Sequence, residues 1–209
     1  MLQYKAIHPV TLELLKDLMT EQIYEVFFLV GGTATALHLG HRISIDLDLF
    51  SQKDFDAERL KNHLTEKYNI SSTTTTTNTL STFINFKDTD IKVEFISYKY
   101  KLLKPIKIID GIKLLELDDL IPMKLSAIAG RGSKKDFFDI YFLLRIFNLS
   151  KMLDLFKQKF DAENLFHMLK SLTFFDDAEN DPEPILLEKV NWNEVKTRIT
   201  KEVNLILEK

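Results

Sequence analysis

The chain has 209 residues, of which 45% are hydrophobic and 28% are charged, a composition typical of a folded globular protein. It contains no cysteine, which excludes disulfides, thiolate metal sites and cysteine nucleophiles. The formal net charge of −3 gives no overall attraction to nucleic acid, and because no apolar run approaches the length of a membrane span and the N-terminus lacks a signal core, we expect a cytoplasmic protein without a membrane partner.

The first half of the chain mixes helical and strand patterns. Leucines at helical spacing predict a helix over residues 11–21, and the apolar run over residues 26–30, ended by two glycines, predicts a buried strand. A short helix is predicted over residues 33–39 and a half-buried alternating strand over residues 43–50. The other elements predicted here are a helix over residues 57–67 and strands over residues 73–77, 80–86, 91–97 and 106–109.

The pattern becomes helical after about Gly111. Helices are predicted over residues 118–129 and 134–147, with two or three more behind them, the last over residues 193–207. The chain is therefore predicted to have an α+β fold, with an α/β core over residues 1–112 and a helical region over residues 113–209 that completes a cleft.

Three carboxylates stand on predicted strands. Asp46 and Asp48 are two apart, so their side chains share one face of a strand, and Glu94 lies in the same kind of pattern on another strand. Oxygen ligands of this kind suit Mg²⁺, and two such ions can clamp the attacking and leaving oxygens of a phosphoryl displacement. The competing interpretations are an ordinary surface pair of aspartates, and a Glu94 that merely pairs with Lys92 or Lys113.

The turn Gly31-Gly32-Thr33 lies between the predicted buried strand and the following helix. Glycines allow close approach of a ligand to the backbone, and a helix start offers free N–H groups to phosphate. Thr33 can add a hydroxyl donor, although a plain turn capped by Thr33 fits the same residues. Behind this helix, His38 is predicted to pack and His41 to cap.

A second polar cluster lies in the helical region. Lys124 and Arg131 share a helix face if the helix continues through both, and Asp136 and Asp139 share a face of the next helix. The aspartates lie in an aromatic helix and need partners. Either they are paired with Lys124 or Arg131 for stability, or they hold these cations in place for NTP phosphates or the acceptor. The spacing leaves both possibilities open.

These motifs together resemble the AbiEii/AbiGii-toxin family of nucleotidyltransferases in the DNA polymerase beta superfamily. The run GGTATALHLGHRISIDLDLF resembles the family's first motif, and KVEFI resembles the second, with Glu94 at its acidic position where the wider superfamily more often has Asp. Thr33 stands where many relatives have Ser. Lys124 matches the lysine of the third motif, and Arg131, Asp136 and Asp139 match the residues that follow it.

The resemblance implies a small mixed sheet flanked by helices and followed by a helical region, and an enzyme that transfers NMP from an NTP with Mg²⁺ or Mn²⁺. Members of the family are often toxins of toxin–antitoxin or phage-defence systems, and some add nucleotides to the acceptor end of tRNA. We therefore expect tRNA or another RNA as the acceptor and an antitoxin protein as a partner. In this interpretation Asp46, Asp48 and Glu94 hold the metal, Gly31, Gly32 and Thr33 bind the nucleotide, and Lys124 neutralises the triphosphate with Arg131. A protein or aminoglycoside-like acceptor, or an inactive binding module, remains the alternative.

Overall fold

Seven strands form one mixed sheet in the computed structural model, which describes residues 1–208. The strands are β1 (Phe28–Val30), β2 (Leu47–Ser51), β3 (Asn69–Thr76), β4 (Thr79–Phe86), β5 (Thr89–Ser97), β6 (Lys107–Ile109) and β7 (Ile112–Leu114). Their order across the sheet is β3-β4-β5-β2-β1-β7-β6. The pairs β2–β5 and β1–β7 are parallel and the other four pairs are antiparallel.

Eight α-helices accompany the sheet within residues 1–208. They are α1 (Pro9–Thr20), α2 (Gly31–Leu39), α3 (Ala57–Lys67), α4 (Leu117–Gly130), α5 (Lys134–Leu143), α6 (Leu149–Phe160), α7 (Phe166–Leu172) and α8 (Trp192–Leu207). Helix α2 contacts β1 and β2 as well as α4 and α5, so it connects the sheet to the helical region. The mixed sheet, its flanking helices and the C-terminal helices confirm the predicted α+β fold class.

Local chemistry explains where several helices begin and end. Asp56 caps α3 by accepting a hydrogen bond from the backbone N–H of Arg59. Asn148 and Asn191 cap α6 and α8 in the same way. Helix α2 ends at Gly40, whose φ of +70° is the left-handed conformation that glycine adopts without steric cost. The cap is therefore Gly40, and the prediction of His41 as the capping residue is wrong.

Several predicted elements differ from the structure, and one strand was not predicted. Strand β3, predicted over residues 73–77, begins at Asn69. Residues 43–46 do not belong to β2, because this segment makes only isolated bridges and leaves Ile45 exposed. The predicted helix over residues 134–147 stops at Leu143. Strand β7 was missed, although the Asp110-Gly111 turn, with φ of +52° and +81°, is a strong hairpin signal between β6 and β7.

The hydrophobic core divides into two clusters. One joins α1 to the sheet and ends at Leu120, and the other begins at Ile121 and joins the C-terminal helices. Helix α4 contributes to both. We propose the two-part organisation on this basis, with the first part extended through β7, since a division after residue 112 would cut that strand. Among residues 1–208, no helix is long and apolar enough to cross a membrane.

Candidate nucleotidyl-transfer site

The sheet brings two of the three predicted carboxylates together. Asp48 on β2 stands in register with Glu94 on the parallel strand β5, and on its other side with Val30 on β1. Asp46 lies just before β2, two residues from Asp48. Consequently Asp48 is flanked by one carboxylate along the chain and by another across the sheet.

The three carboxylates have different partners. Burial, reinforced by the nearby Glu94, raises the pKa of Asp48. For Glu94, burial opposes ionisation, but Lys92 Nζ, at 2.9 Å from Oε1, and the Ser81 hydroxyl, which donates to Oε1 over 3.1 Å, lower its pKa overall. Lys135 Nζ lies 3.5 Å from Asp46 Oδ2. Glu94 therefore has the lysine partner considered above, and Asp48 carries the unfavourable charge.

Gly31 and Gly32 form the first residues of α2 beside these carboxylates. Gly31 has a φ of +65°, and a Cβ built on it would lie 1.9 Å from Asp48 Oδ2. A Cβ on Gly32 would lie 2.7 Å from Arg42 Nη2. Because the first N–H groups of a helix have no acceptor within it, and Val30 at the N-cap has no polar side-chain atom, this turn presents backbone donors next to Asp48.

The Thr33 side chain has a structural partner. Its Oγ1 donates to the backbone carbonyl of Asp46 and lies 2.9 Å from Ser44 Oγ. Since a hydroxyl has a single proton, these contacts occupy the Thr33 donor. The side chain thus ties α2 to the segment that carries Asp46, and its backbone N–H is the group left to face a ligand.

A buried ion cluster joins α4 to α5. Lys124 Nζ lies 2.8 Å from Asp136 Oδ1 and 2.6 Å from Asp139 Oδ2, and all three side chains are nearly inaccessible to solvent. Burial opposes the charge of Lys124, yet Asp139 and Asp136 raise its pKa. Despite burial, Lys124 and Arg131 lower the pKa of Asp136 to about 2. The aspartates are therefore paired with Lys124 and Arg131, and their holding of these cations for a substrate stays a prediction.

Arg42 and His41 complete this cluster, and sequence patterns did not reveal either. Arg42 donates to Asp139 through Nε, over 2.6 Å, and through Nη2, over 3.0 Å, while His41 Nε2 lies 2.7 Å from Asp139 Oδ1. Despite its burial, Asp139 has a pKa well below the usual range because of Arg42 and Lys124. An arginine inside the first motif was the available signal, but its partner is 97 residues away.

Arg131 lies at the mouth of the site. It follows the last residue of α4, its side chain is 62% exposed, and its Nε donates to Asp136 Oδ2 over 3.0 Å. The Ser133 hydroxyl donates to the same oxygen over 2.6 Å. Because a guanidinium has five N–H donors and Asp136 uses only one edge, Arg131 retains donors for a ligand.

Two adjoining cavities bring the predicted residues together. The larger, of about 360 Å³, has an apolar wall and is lined by Val30, Gly31, Gly32, Asp48, Phe50, Glu94, Leu120, Met123, Lys124, Ala127, Gly130 and Arg131. The smaller, of about 60 Å³, is polar and also contains Thr33, Arg42, Asp46, Lys92 and Lys135. Asp136 and Asp139 line neither cavity and act through Lys124, Arg131 and Arg42. We name the pair the catalytic cleft.

A divalent cation suits the donor chemistry of this cleft. Asp46, Asp48 and Glu94 offer the oxygen ligands that Mg²⁺ prefers, and the raised pKa of Asp48 indicates negative charge that its surroundings do not fully balance. However, within residues 1–208 no three acidic or histidine side chains are already arranged around one metal position. Lys92 and Lys135 hold two of the carboxylates, so a bound metal would replace these ammonium groups.

Comparisons with known proteins identify the family. The family model described as nucleotidyl transferase AbiEii toxin, type IV toxin–antitoxin system, matches residues 13–208. An uncharacterized protein of Aquifex aeolicus (strain VF5) is 34% identical over 206 residues, which cover 94% of this chain and 95% of that protein.

Two solved structures share the fold at low sequence identity. JHP933 from Helicobacter pylori is 19% identical, with a TM-score of 0.57 and coverage of 97% of this chain and 94% of that one. MenT4, a nucleotidyltransferase toxin from Mycobacterium tuberculosis H37Rv, is 14% identical, with a TM-score of 0.54 and coverage of 92% and 83%.

Proposed function

Because the chain belongs to the AbiEii nucleotidyltransferase toxin family and is a transferase of that family, we propose that it transfers NMP from an NTP to a hydroxyl group of RNA, specifically tRNA. We further propose that it acts in the cytoplasm as the toxin of a toxin–antitoxin or phage-defence system, with an antitoxin protein as its partner. The observation that carries the chemistry is the catalytic cleft, where helix-start donors and cations face Asp48 and Glu94.

The carboxylates would hold the metal. Asp46 and Asp48, with Glu94, supply oxygen ligands on neighbouring chain segments. A bound Mg²⁺ or Mn²⁺ supplies Lewis-acid stabilisation of the charge that develops on the phosphoryl oxygens. Lys92 and Lys135, which pair with Glu94 and Asp46 in the structure, would give up these positions to the metal.

The triphosphate would lie against the start of α2. The backbone N–H groups of Gly32 and Thr33 point toward phosphate as at other helix N-termini. Arg131 supplies its free guanidinium edge. Lys124 gives two of its three N–H donors to aspartates, so one remains for the phosphate.

The apolar wall of the larger cavity would receive the nucleobase. Phe50, Leu120 and Met123 line it together with Val30 and Ala127. Such a wall provides contact area and excludes water without distinguishing donors from acceptors on the base. Discrimination among the four NTPs would therefore rest mainly on shape.

The reaction would be a single in-line displacement. The acceptor hydroxyl oxygen attacks the α-phosphorus and forms a new P–O bond, while the bond from the α-phosphorus to the α–β bridging oxygen breaks and pyrophosphate leaves. The hydroxyl proton passes to Glu94, whose lowered pKa makes it a carboxylate at neutral pH, and from there to solvent. Lys124 and Arg131 balance the charge of the departing pyrophosphate.

A labelling experiment tests this proposal. The protein is incubated with each α-³²P-labelled NTP, MgCl₂ and total tRNA, beside the Asp46→Asn and Asp48→Asn variants. Asp54→Asn is the matched control, because Asp54 is an exposed aspartate shortly after β2. We expect label on tRNA with the intact protein and the control, and at least about 100-fold less with either site variant, as when a major source of transition-state charge stabilisation is lost.

Other outcomes separate the alternatives. Label on a protein or an aminoglycoside instead of tRNA would keep the transferase chemistry and replace the acceptor. Complete absence of label, with no binding of Mg²⁺–NTP by calorimetry, would overturn the proposal in favour of an inactive binding module.

A further inference from the structure

A third cavity, of about 350 Å³, opens between the C-terminal end of α4 and helix α7. It shares Gly130 and Arg131 with the catalytic cleft, so the two spaces meet at the Arg131 side chain. Apart from Arg131, none of its lining residues belongs to the proposed nucleotide contacts or to the ion cluster. We name it the α7 cavity.

The walls of the α7 cavity combine cationic, aromatic and hydrogen-bonding groups. His167 and Lys170 are exposed, three residues apart on α7, and neither side chain forms an ion pair within the part of the chain that the structure describes. Phe174, just beyond α7, is 49% exposed. Ser171 and Asp177 add a hydroxyl and a carboxylate.

We propose that the α7 cavity binds the single-stranded 3′ end of the RNA acceptor and delivers its terminal hydroxyl past Arg131 into the catalytic cleft. The inference rests on the proposed function and deepens it, because it assigns a surface to the acceptor. Phe174 stacks on a base near the 3′ end, and Lys170 contacts a backbone phosphate.

The chemistry of the walls favours RNA over a protein segment. An exposed aromatic ring beside a cation is the usual combination for a single strand, since every base has a face to stack and every linkage carries a negative charge. Arg131 and Lys170 outnumber the single carboxylate Asp177. Asp177 and Ser171 can accept hydrogen bonds from ribose 2′-hydroxyl groups. An acidic protein segment has no such ribose hydroxyl groups.

Fluorescence anisotropy with a defined RNA tests the assignment. The probe is a 5′-fluorescein hairpin with a four-nucleotide single-stranded 3′ overhang, and a blunt hairpin of the same stem is the reference. The variants are Lys170→Ala and Phe174→Ala, with Phe174→Trp as the rescue. Lys201→Ala and Phe166→Ala are the matched controls, because both residues are exposed and lie outside the cavity.

The expected changes follow from the two contacts. Phe174→Ala weakens binding of the overhang probe by about fivefold or more, the lower limit for loss of one base stack, and Phe174→Trp restores it. Lys170→Ala weakens binding. It also reduces the magnitude of the negative slope of log K against log salt by about 0.7, the value for loss of one phosphate contact on a single strand. The two control variants bind the overhang probe as the intact protein does. For every variant, the affinity for the blunt hairpin and the Kd for Mg²⁺–NTP equal those of the intact protein.

Two results would overturn the inference in different ways. If the intact protein transfers label to RNA but Lys170→Ala and Phe174→Ala bind the overhang probe as the controls do, the acceptor lies elsewhere and the proposed function stands. If the intact protein neither binds the probe nor labels RNA, while label appears on protein or a small molecule, the RNA acceptor of the proposed function fails and this surface fails with it.

Discussion

Asp48 lies beside Glu94 across the β2–β5 ladder, and its carboxyl group borders the space that a side chain on Gly31 would fill. A close approach of this kind explains why a glycine with positive φ precedes the helix, since any Cβ would displace the carboxylate. The same proximity to Glu94, with burial, raises the pKa of Asp48. The fold therefore keeps two carboxylates, Asp48 and Glu94, close together where the metal and the charged substrate would bind, although their repulsion is unfavourable without a ligand.

Asp48→Asn should lower activity while preserving or increasing stability. The substitution removes a carboxylate whose charge is opposed by burial and by Glu94, so the protein without ligand loses a repulsion. Thermal unfolding should give a Tm equal to or above that of the intact protein, with label transfer at least about 100-fold lower. A lower Tm would mean that Asp48 serves mainly to support the fold.

Gly31→Ala should damage both stability and activity. The φ of +65° disfavours alanine, and the new Cβ would meet Asp48 Oδ2. A cost of about 1–3 kcal/mol in the free energy of unfolding is expected from denaturant titration. Gly130→Ala is the control, since among described atoms nothing lies within 4 Å of its added Cβ, and it should be neutral or stabilising by up to about 1 kcal/mol. Equal effects of the two substitutions would contradict this explanation.

Helices α4 and α5 are joined to the segment between α2 and β2 by ion pairs and not by apolar packing alone. Lys124 bridges Asp136 and Asp139, and Asp139 also holds Arg42 and His41. Removing one partner from such a buried network typically costs about 3–5 kcal/mol, because the remaining charges stay buried. The cluster therefore fixes the position of α4 against the sheet, and with it the width of the catalytic cleft.

The Asp136 carboxylate makes this junction sensitive to acid. Its pKa is lowered in the folded state from 3.8 to about 2, so it binds protons more readily when unfolded. Its contribution, roughly 2 kcal/mol, is complete above pH ~4 and is lost as the pH falls toward 2. Denaturant titrations of the intact protein between pH 5 and 2 should show this loss, and Asp136→Asn should flatten the slope there. An unchanged slope in the variant would show that other groups control acid unfolding.

The catalytic cleft lies where the two core clusters meet. Its floor comes from β1, β2 and β5, and its wall comes from α4, whose residues Leu120 and Ile121 belong to different clusters. A ligand in the cleft contacts both parts of the molecule. We therefore expect ligand binding to stabilise the whole molecule and not one part alone.

Unfolding should follow a single transition that Mg²⁺–NTP shifts as a whole. Trp192, the one tryptophan of the sequence, is buried in the helical cluster and reports on that part, while circular dichroism reports on both. At ligand concentrations 100 times the Kd, stabilisation should reach about 2.7 kcal/mol, and both signals should move together. The Asp46→Asn variant should show little shift. A fluorescence transition that stays in place while the other signal moves would show that the two parts unfold independently.

Sequence patterns alone were sufficient to predict the α+β fold class, most helix and strand positions, and the family. The fold class and the element positions follow from hydrophobic periodicity. The family follows from motif residues close together in the chain, such as Gly31, Asp46 and Asp48. The sequence patterns missed β7, because three residues are too short to show a period, and they extended β2 back to residue 43, because alternation alone does not reveal where pairing stops.

Only the tertiary structure decided which charges meet. Arg42 reaches Asp139 across 97 positions, Lys135 lies beside Asp46, and the Thr33 hydroxyl turns to the Asp46 carbonyl instead of toward a ligand. No local pattern encodes such pairs, since each depends on how α2, α4 and α5 pack around the sheet. In the ion cluster between α4 and α5, a buried charge is stabilised by a partner, and packing, not spacing along the chain, selects that partner.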